Sequence, residues 1–254
     1  MGFNDFSYVR PNYDEVKAKL IFLIDKLSTD NLIEEVKETI NQINVVRNNV
    51  VTMGTLASIR NSINTEDEFY DKEREYWDEY EPLYNEVYTL FYKALVSNKF
   101  RSELEKDFGK QFFSIAEYNL KAFAPEIIED LQLENKLVSE YNKLIASAKI
   151  MFEGEERNLS GLTPFVLSED RDMRRSASEA MFGFFVENEH IIDRIYDDMV
   201  KVRTKMAKKL GFDNFVQLGY VRMLRTDYNA EMVSNFRNQV KEYIVPVANK
   251  LYER

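Results

Sequence analysis

Between Ile33 and Ile59 the apolar residues Ile33, Val36, Ile40, Ile43, Val46, Val50, Met53, Leu56 and Ile59 advance in steps of three and four. That is the spacing of one helix face, sustained over about thirty residues, or near 45 Å at 1.5 Å per residue. The segments on either side share the pattern. Asn12 is placed to cap a helix carrying Val16, Leu20, Leu23, Ile24 and Leu27. Thr65-Glu66-Asp67-Glu68 has the form of a capping box, opening a third helix through Phe69, Tyr76, Tyr80, Leu83, Val87, Phe91 and Leu95. Pro82 is that helix's candidate kink. Three long helices with short connections predict antiparallel hairpins.

Shorter helices are expected at Phe100 to Phe108, at Phe112 to Phe123, and from Pro125 to about Ala148. Helical character breaks once, over Lys149 to Leu167. There Ile150-Met151-Phe152, a turn at Glu153 to Glu156, and Asn158-Leu159 read as two strands. Ser168 is the expected cap of the next helix, Asn188 precedes another, and Gly211 is its C′ residue. Asp213 opens a short helix, and Asn229 caps a last one running to Arg254. That helix ends without Gly, Pro or a polar tail, so the expectation is a chain cut within a helix. The fold class is all-α, built of long antiparallel helical hairpins with one small β-hairpin near residues 149–160. Residues 1–148 form a helical domain, and residues 149–254 form a β-hairpin followed by helices.

Composition narrows the chemistry. The 254 residues include one histidine, His190, and no cysteine. A catalytic zinc is usually held by three protein ligands from His, Cys and carboxylate, so a His-x-x-x-His pair, a Cys-His dyad and a Cys cluster are all excluded. No complete metal or nucleophile site of these kinds is expected. Lys and Arg number 34 against 44 acids, a net charge of −10, which argues against nucleic acid and anionic membrane as partners. No apolar run approaches the roughly 20 residues of a spanning helix. The Met1 to Phe6 start lacks a basic, then apolar, leader. Cysteine-free composition fits a reducing compartment, and a cytoplasmic location is expected.

Several local patterns invite a functional reading. Glu187 and His190 have the Glu-x-x-His spacing of di-iron bundles, but a second copy is impossible with one histidine. Ten acids between residues 66 and 86 read as a solvated helix face. Lys201, Arg203, Lys205, Lys208 and Lys209 gather near a helix C-terminus, where cations complement the dipole. The tract Gly219 to Tyr228 differs, because Tyr220, Arg222, Arg225, Asp227 and Tyr228 sit in a passage between two helices. Burying them requires partners. They form either a structural salt-bridge network or the lining of a cleft that grips peptide backbone and termini.

Longer stretches resemble the oligoendopeptidase F family of zinc metallopeptidases, relatives of thimet oligopeptidase. They are Asn158 to Phe165, Ser168 to Arg171 with Arg174, Ala207 to Phe215, Gly219 to Tyr228, Val233 to Arg237, and Ile244-Val245-Pro246. The match is specific from about Lys149 onward; before that it is a pattern of helices. The resemblance implies a helical fold with a channel for oligopeptides, and catalysis by zinc on a His-Glu-x-x-His helix with a further Glu ligand. This chain lacks that motif, so the resemblance assigns it no catalytic and no metal residue. It implies the N-terminal portion of such an enzyme, with residues 149–254 beginning the peptidase domain. That portion supplies scaffold and channel wall and is inactive alone; zinc and the missing C-terminal catalytic part belong to the parent enzyme, whose substrates are oligopeptides. The five residues from Tyr220 to Tyr228 are its candidate channel contacts. The alternative is a non-catalytic helical module that binds peptides or proteins.

Overall fold

The computed structural model describes residues 2–253; Met1 and Arg254, on which the readings of leader and chain end partly fall, lie outside them. Asn12 Oδ1 accepts the amides of Asp14 and Glu15 and opens α1, Tyr13–Thr29. The long stripe becomes α2, Ile33–Ile63, and α3 follows as Glu68–Val96. These three helices pack on one another around a core that includes Leu20, Leu27, Ile40, Ile43, Phe91 and Leu95. The cap of α3 is Asp67, which accepts from Phe69 and Tyr70, and not the expected Thr65.

Pro82 sits inside α3 without ending it. Its ring nitrogen has no hydrogen, so the carbonyl one turn back, that of Asp78, loses its helical donor. A neighbouring helix supplies a replacement. Asn135 Nδ2 donates to the Asp78 carbonyl at 3.2 Å, and Gln132 Nε2 to that of Glu79 at 2.9 Å. Both come from α6, Ile128–Ala146, which follows α4, Arg101–Phe108, α5, Lys110–Ala122, and a 3₁₀ turn at Pro125–Ile127.

Strands β1, Ile150–Phe152, and β2, Glu155–Arg157, pair antiparallel with Phe152 opposite Glu155. The return strand is thus earlier than the expected Asn158-Leu159. The reason is a two-residue turn in which Glu153 (φ 51°) and Gly154 (φ 75°) are both left-handed, which reverses the chain at once. A short helix α7, Thr163–Val166, leads to α8, Arg171–Glu187, capped by Asp170 in place of Ser168. Helix α9, Glu189–Lys209, ends as expected on Gly211, at φ 80°. There the Phe212 amide reaches Ala207 O at 2.9 Å and the Gly211 amide reaches Lys208 O at 3.1 Å, a Schellman closure.

Asn214, one residue after the expected Asp213, caps α10, Phe215–Arg222. The last segment is α11, Ala230–Gln239, a π turn at Val240–Ile244, and α12, Val245–Tyr252. The π turn interrupts what the pattern predicted as one continuous helix, directly ahead of Pro246, which has no amide to return. No described residue of α11, the π turn or α12 is buried, and Phe236, Ile244 and Leu251 are each at least 60% exposed. Among the described residues no helix is long and apolar enough to cross a membrane.

Candidate functional site

Helices α2 and α3 meet as an apolar seam on the core side and part on the other, leaving a trough. Its middle is a cavity of about 300 Å³ lined by Gly54, Ser58, Trp77, Glu81 and Tyr88. A second cavity, about 310 Å³, shares Val51, Asn85 and Tyr88 with it and continues to Arg47, Asn119, Arg222 and Leu224. A third, about 520 Å³, shares Ser58 and Arg74 and continues past Asn61 and Ser139 to the loop after the hairpin at Asn158. Between Arg74 and Tyr92 the trough follows roughly 27 Å of α3. An extended peptide of about eight residues covers that distance.

One stripe of α3 forms the floor, because Glu81, Asn85, Tyr88 and Tyr92 are spaced four, three and four. From α2 comes Arg47, with its guanidinium carbon 4.9 Å from the Tyr88 and Tyr92 ring centres and 5.2 Å from that of Phe91. Gly54 lets α3 come close: a methyl group there would lie 3.3 Å from the Trp77 ring. Three solvent-shielded polar atoms without a hydrogen-bond partner among the described residues belong to this trough: Arg47 Nε, Asn61 Nδ2 and the Tyr88 hydroxyl. Glu81 is open to the groove, yet burial by the surrounding walls raises its carboxyl above the ordinary carboxylate range.

Beneath the trough lie charges that the sequence reading put at the surface. The acidic stretch of α3 is not wholly a solvated face, since Glu73 and Asp78 are both buried. Asp78 Oδ1 meets Arg74 at 2.5 Å, and its other oxygen accepts Ser139 Oγ at 2.5 Å. Burial dominates and raises the Asp78 carboxyl despite both partners. Glu73 takes Arg10 Nε at 2.9 Å, Arg10 Nη2 at 2.5 Å and the Tyr8 hydroxyl, tying the N-terminal segment across α3. Burial pushes Glu73 up, but donation by Arg10 and Tyr8 outweighs it and the net shift is downward.

The basic group of α9 is likewise more than a dipole complement. Lys205 and Lys209 hold the buried Asp130 of α6 at 2.7 and 2.6 Å, and Arg203 holds Glu134 at 2.7 Å. Arg222, one of the five candidates, completes this cluster. Its Nη1 and Nη2 donate to the two Glu134 oxygens at 3.2 and 2.8 Å. Arg222 therefore lines the end of the trough while its fork is committed to a carboxylate. Arg225 lies elsewhere, between the rings of Tyr220 (4.7 Å) and Tyr228 (5.2 Å). Asp227 and Tyr228 are exposed, and Thr226 bonds Gln111 at 2.7 Å. So the structure brings Tyr220, Arg225 and Tyr228 together in one stack, and separates that stack from Arg222. Arg47, Asn61, Glu81 and Tyr88 were missed. Their available signal was polar residues recurring within otherwise apolar helix stripes.

The donors for a transition metal do not assemble here. His190 is exposed at the start of α9, and among the described residues no three His, Cys, Asp or Glu side chains converge as a ligand set.

A profile of the Peptidase M3 N-terminal domain matches residues 3–123. The solved structure of PZ peptidase A with an inhibitor is 54% identical, with a TM-score of 0.96, and aligns with all of this chain and 45% of its own. A protein from Bacillus anthracis str. Ames assigned as an oligoendopeptidase F is 52% identical at a TM-score of 0.97, again over all of this chain and 47% of its own. Over all of its length the chain is thus similar to a part of these peptidases, and its residues 3–123 carry the match to the Peptidase M3 N-terminal domain. The chain spans a little under half the length of these solved relatives. Comparison with curated proteins gives no match.

Proposed function

We propose that these 254 residues are the N-terminal, non-metal-binding part of a cytoplasmic, zinc-dependent oligoendopeptidase, and that the α2–α3 trough is one wall of its peptide channel. The observation that carries the reading is the trough itself: about 27 Å long, floored by Glu81, Asn85, Tyr88 and Tyr92, with polar atoms spaced along it that lack a partner among the described residues. Donors of that kind suit a peptide backbone, whose carbonyl and amide groups recur every 3.3 Å or so. The family likeness supplies the reaction class, hydrolysis of short peptides. Zinc, the general base and the attacking water are assigned to residues outside this chain, since its own donors do not fit the metal. Residues 149–254 then begin the peptidase domain, and the exposed apolar face of Phe236, Ile244 and Leu251 is surface for the remaining part to cover.

The test is a quenched fluorescent octapeptide incubated with the purified chain and one equivalent of zinc. Expected are binding without cleavage by the chain alone, and chelator-sensitive cleavage after mixing with a polypeptide carrying the His-Glu-x-x-His part of a relative. Chelator-sensitive turnover by the chain alone refutes the division of labour. Binding that never acquires activity on mixing favours the non-catalytic module.

A further inference from the structure

Arg47 is in an unusual electrostatic position. The chain carries 44 acids against 34 basic residues, yet among the described residues no carboxylate lies within salt-bridge distance of this guanidinium. Its visible partners are neutral: Nη1 donates to Asn44 Oδ1 at 3.3 Å and Nη2 to the Tyr92 hydroxyl. The Tyr88, Phe91 and Tyr92 rings hold it from below, and Nε has no acceptor among the described residues. A guanidinium has five N–H groups and no acceptor, so three of Arg47's five remain unused. A cation held half-buried without a counter-ion costs free energy unless something completes it.

The nearby groups are donors as well. Tyr88 is 92% buried, lines the same cavity, and its hydroxyl is without a partner among the described residues. Burial raises that hydroxyl far above the usual phenol range, so it keeps its proton and donates. Arg222 adds a second cation on the cavity wall but is neutralised by Glu134. Glu81, a carboxylate without an ion-pair partner among the described residues, lies seven residues before Tyr88, roughly 10 Å along α3. The trough thus has a positive end and a negative middle.

We propose that Arg47, backed by the Tyr88 hydroxyl, is a carboxylate-binding subsite that fixes the acidic group of a peptide lying in the trough. The inference rests on the channel-wall reading and adds a charge preference to it. The geometry suits a carboxylate because its two oxygens accept from a planar fork, which a single neutral carbonyl cannot do. Two sources share that chemistry, the peptide's C-terminus and an Asp or Glu side chain.

Three probes separate them: acetyl-tetraalanine with a free carboxylate, its C-terminal amide, and acetyl-Ala-Ala-Glu-Ala-amide. Binding to the purified chain is read by titration calorimetry, with emission of Trp77, the single tryptophan and a wall of the adjoining cavity, as a second signal. The free acid is expected to bind roughly tenfold more tightly than the amide. Arg47→Gln abolishes that difference, whereas Arg47→Lys retains part of it. If Arg47→Gln fails to fold by circular dichroism, Tyr88→Phe serves, narrowing the acid-to-amide difference about threefold. Arg47-dependent binding of the glutamate peptide assigns a side-chain carboxylate; its absence assigns the C-terminus. Equal binding of the acid, the amide and the glutamate peptide to the wild-type chain overturns the subsite and leaves the peptide channel standing. Failure of every probe to bind overturns both.

Discussion

The two halves of this molecule are held together differently. In α1–α5 the interior is apolar and aromatic, a cluster of nineteen buried side chains among the described residues, running from Leu20 to Ala116. Around α6, α9 and α10 the apolar clusters shrink to Ile127, Met206, Ala207 and Leu218 in one place and Leu137, Ile195 and Val202 in another. What joins them is a ladder of buried carboxylates on α6, Asp130 and Glu134, gripped by Lys205, Lys209, Arg203 and Arg222. An apolar core tolerates rearrangement if volume is kept. An ionic ladder does not: each buried acid needs its own cation at its own height, so register between helices is fixed at the cost of sensitivity to pH.

The sharpest break in the comparison comes from Phe91, fully buried where α1–α3 converge. Phe91→Ala removes a ring whose space its neighbours cannot refill, and about 3–5 kcal/mol of stability should go with it. A urea titration should show the midpoint falling with an unchanged slope, because the whole bundle shares the loss. An effect below about 1 kcal/mol would mean that the core collapses around the gap and is less cooperative than its packing implies.

Glu134→Gln attacks the other mode. It leaves Arg203 and Arg222 facing a neutral amide, and since those arginines are 39% and 31% exposed, water recovers part of the loss. A decrease of about 2–3 kcal/mol is expected, less than for an uncompensated buried charge. Hydrogen exchange should locate it, with protection falling in α6, α9 and α10 while α1 and α2 keep theirs. Uniform loss across both regions would erase the distinction drawn here.

Acid tests the same ladder without mutation. Burial raises Glu134, but bonds and charge from Arg222 and then Arg203 outweigh it; Asp130 behaves alike under Lys205 and Lys209. Both fold with depressed values, so below about pH 4.3, the ordinary carboxylate value, the unfolded chain binds protons first and their stabilisation drains away. Asp78, raised by burial, has the opposite sign: its contribution is present at low pH and lost as pH rises through its folded value. On lowering pH, exchange should therefore quicken in α9 and α10 before the Asp78–Ser139 contact between α3 and α6 gives way. Simultaneous opening of both would show that the ladder is not the acid-labile element.

Features written within one or two turns were legible in the sequence. The α2 stripe, the Asn12 cap and the Gly211 closure each depend on neighbours a few residues away. Caps slipped where candidates crowd. Thr65 and Asp67, Ser168 and Asp170, and Asp213 and Asn214 can each accept first-turn amides, and the packing of the helix body decides which one is in register. The family likeness was carried by whole segments beyond Lys149, while the profile match falls on residues 3–123, where the reading had only helical spacing. The trough was illegible for a simple reason. Arg47 meets Tyr92 across 45 positions, and Arg222 meets Glu134 across 88, distances over which no local period carries information.

The smallest effect probes a seam between the two modes. Asn135 stands in for the hydrogen that Pro82 lacks, donating to the Asp78 carbonyl at 3.2 Å. Asn135→Ala should cost about 1 kcal/mol, the value of one net hydrogen bond at a partly buried site. Pro82→Ala alone should change little, since the regained helical amide competes with Asn135 for the same oxygen. Combining them decides the matter: in the Pro82→Ala background the Asn135→Ala loss should shrink to a few tenths of a kcal/mol, a coupling that thermal melts of the four proteins can resolve. Strict additivity would mean that Asn135 acts through packing alone. In that case α6 would rest on α3 as a surface rather than repair it, and Pro82 would be tolerated for a reason other than the amide that faces it.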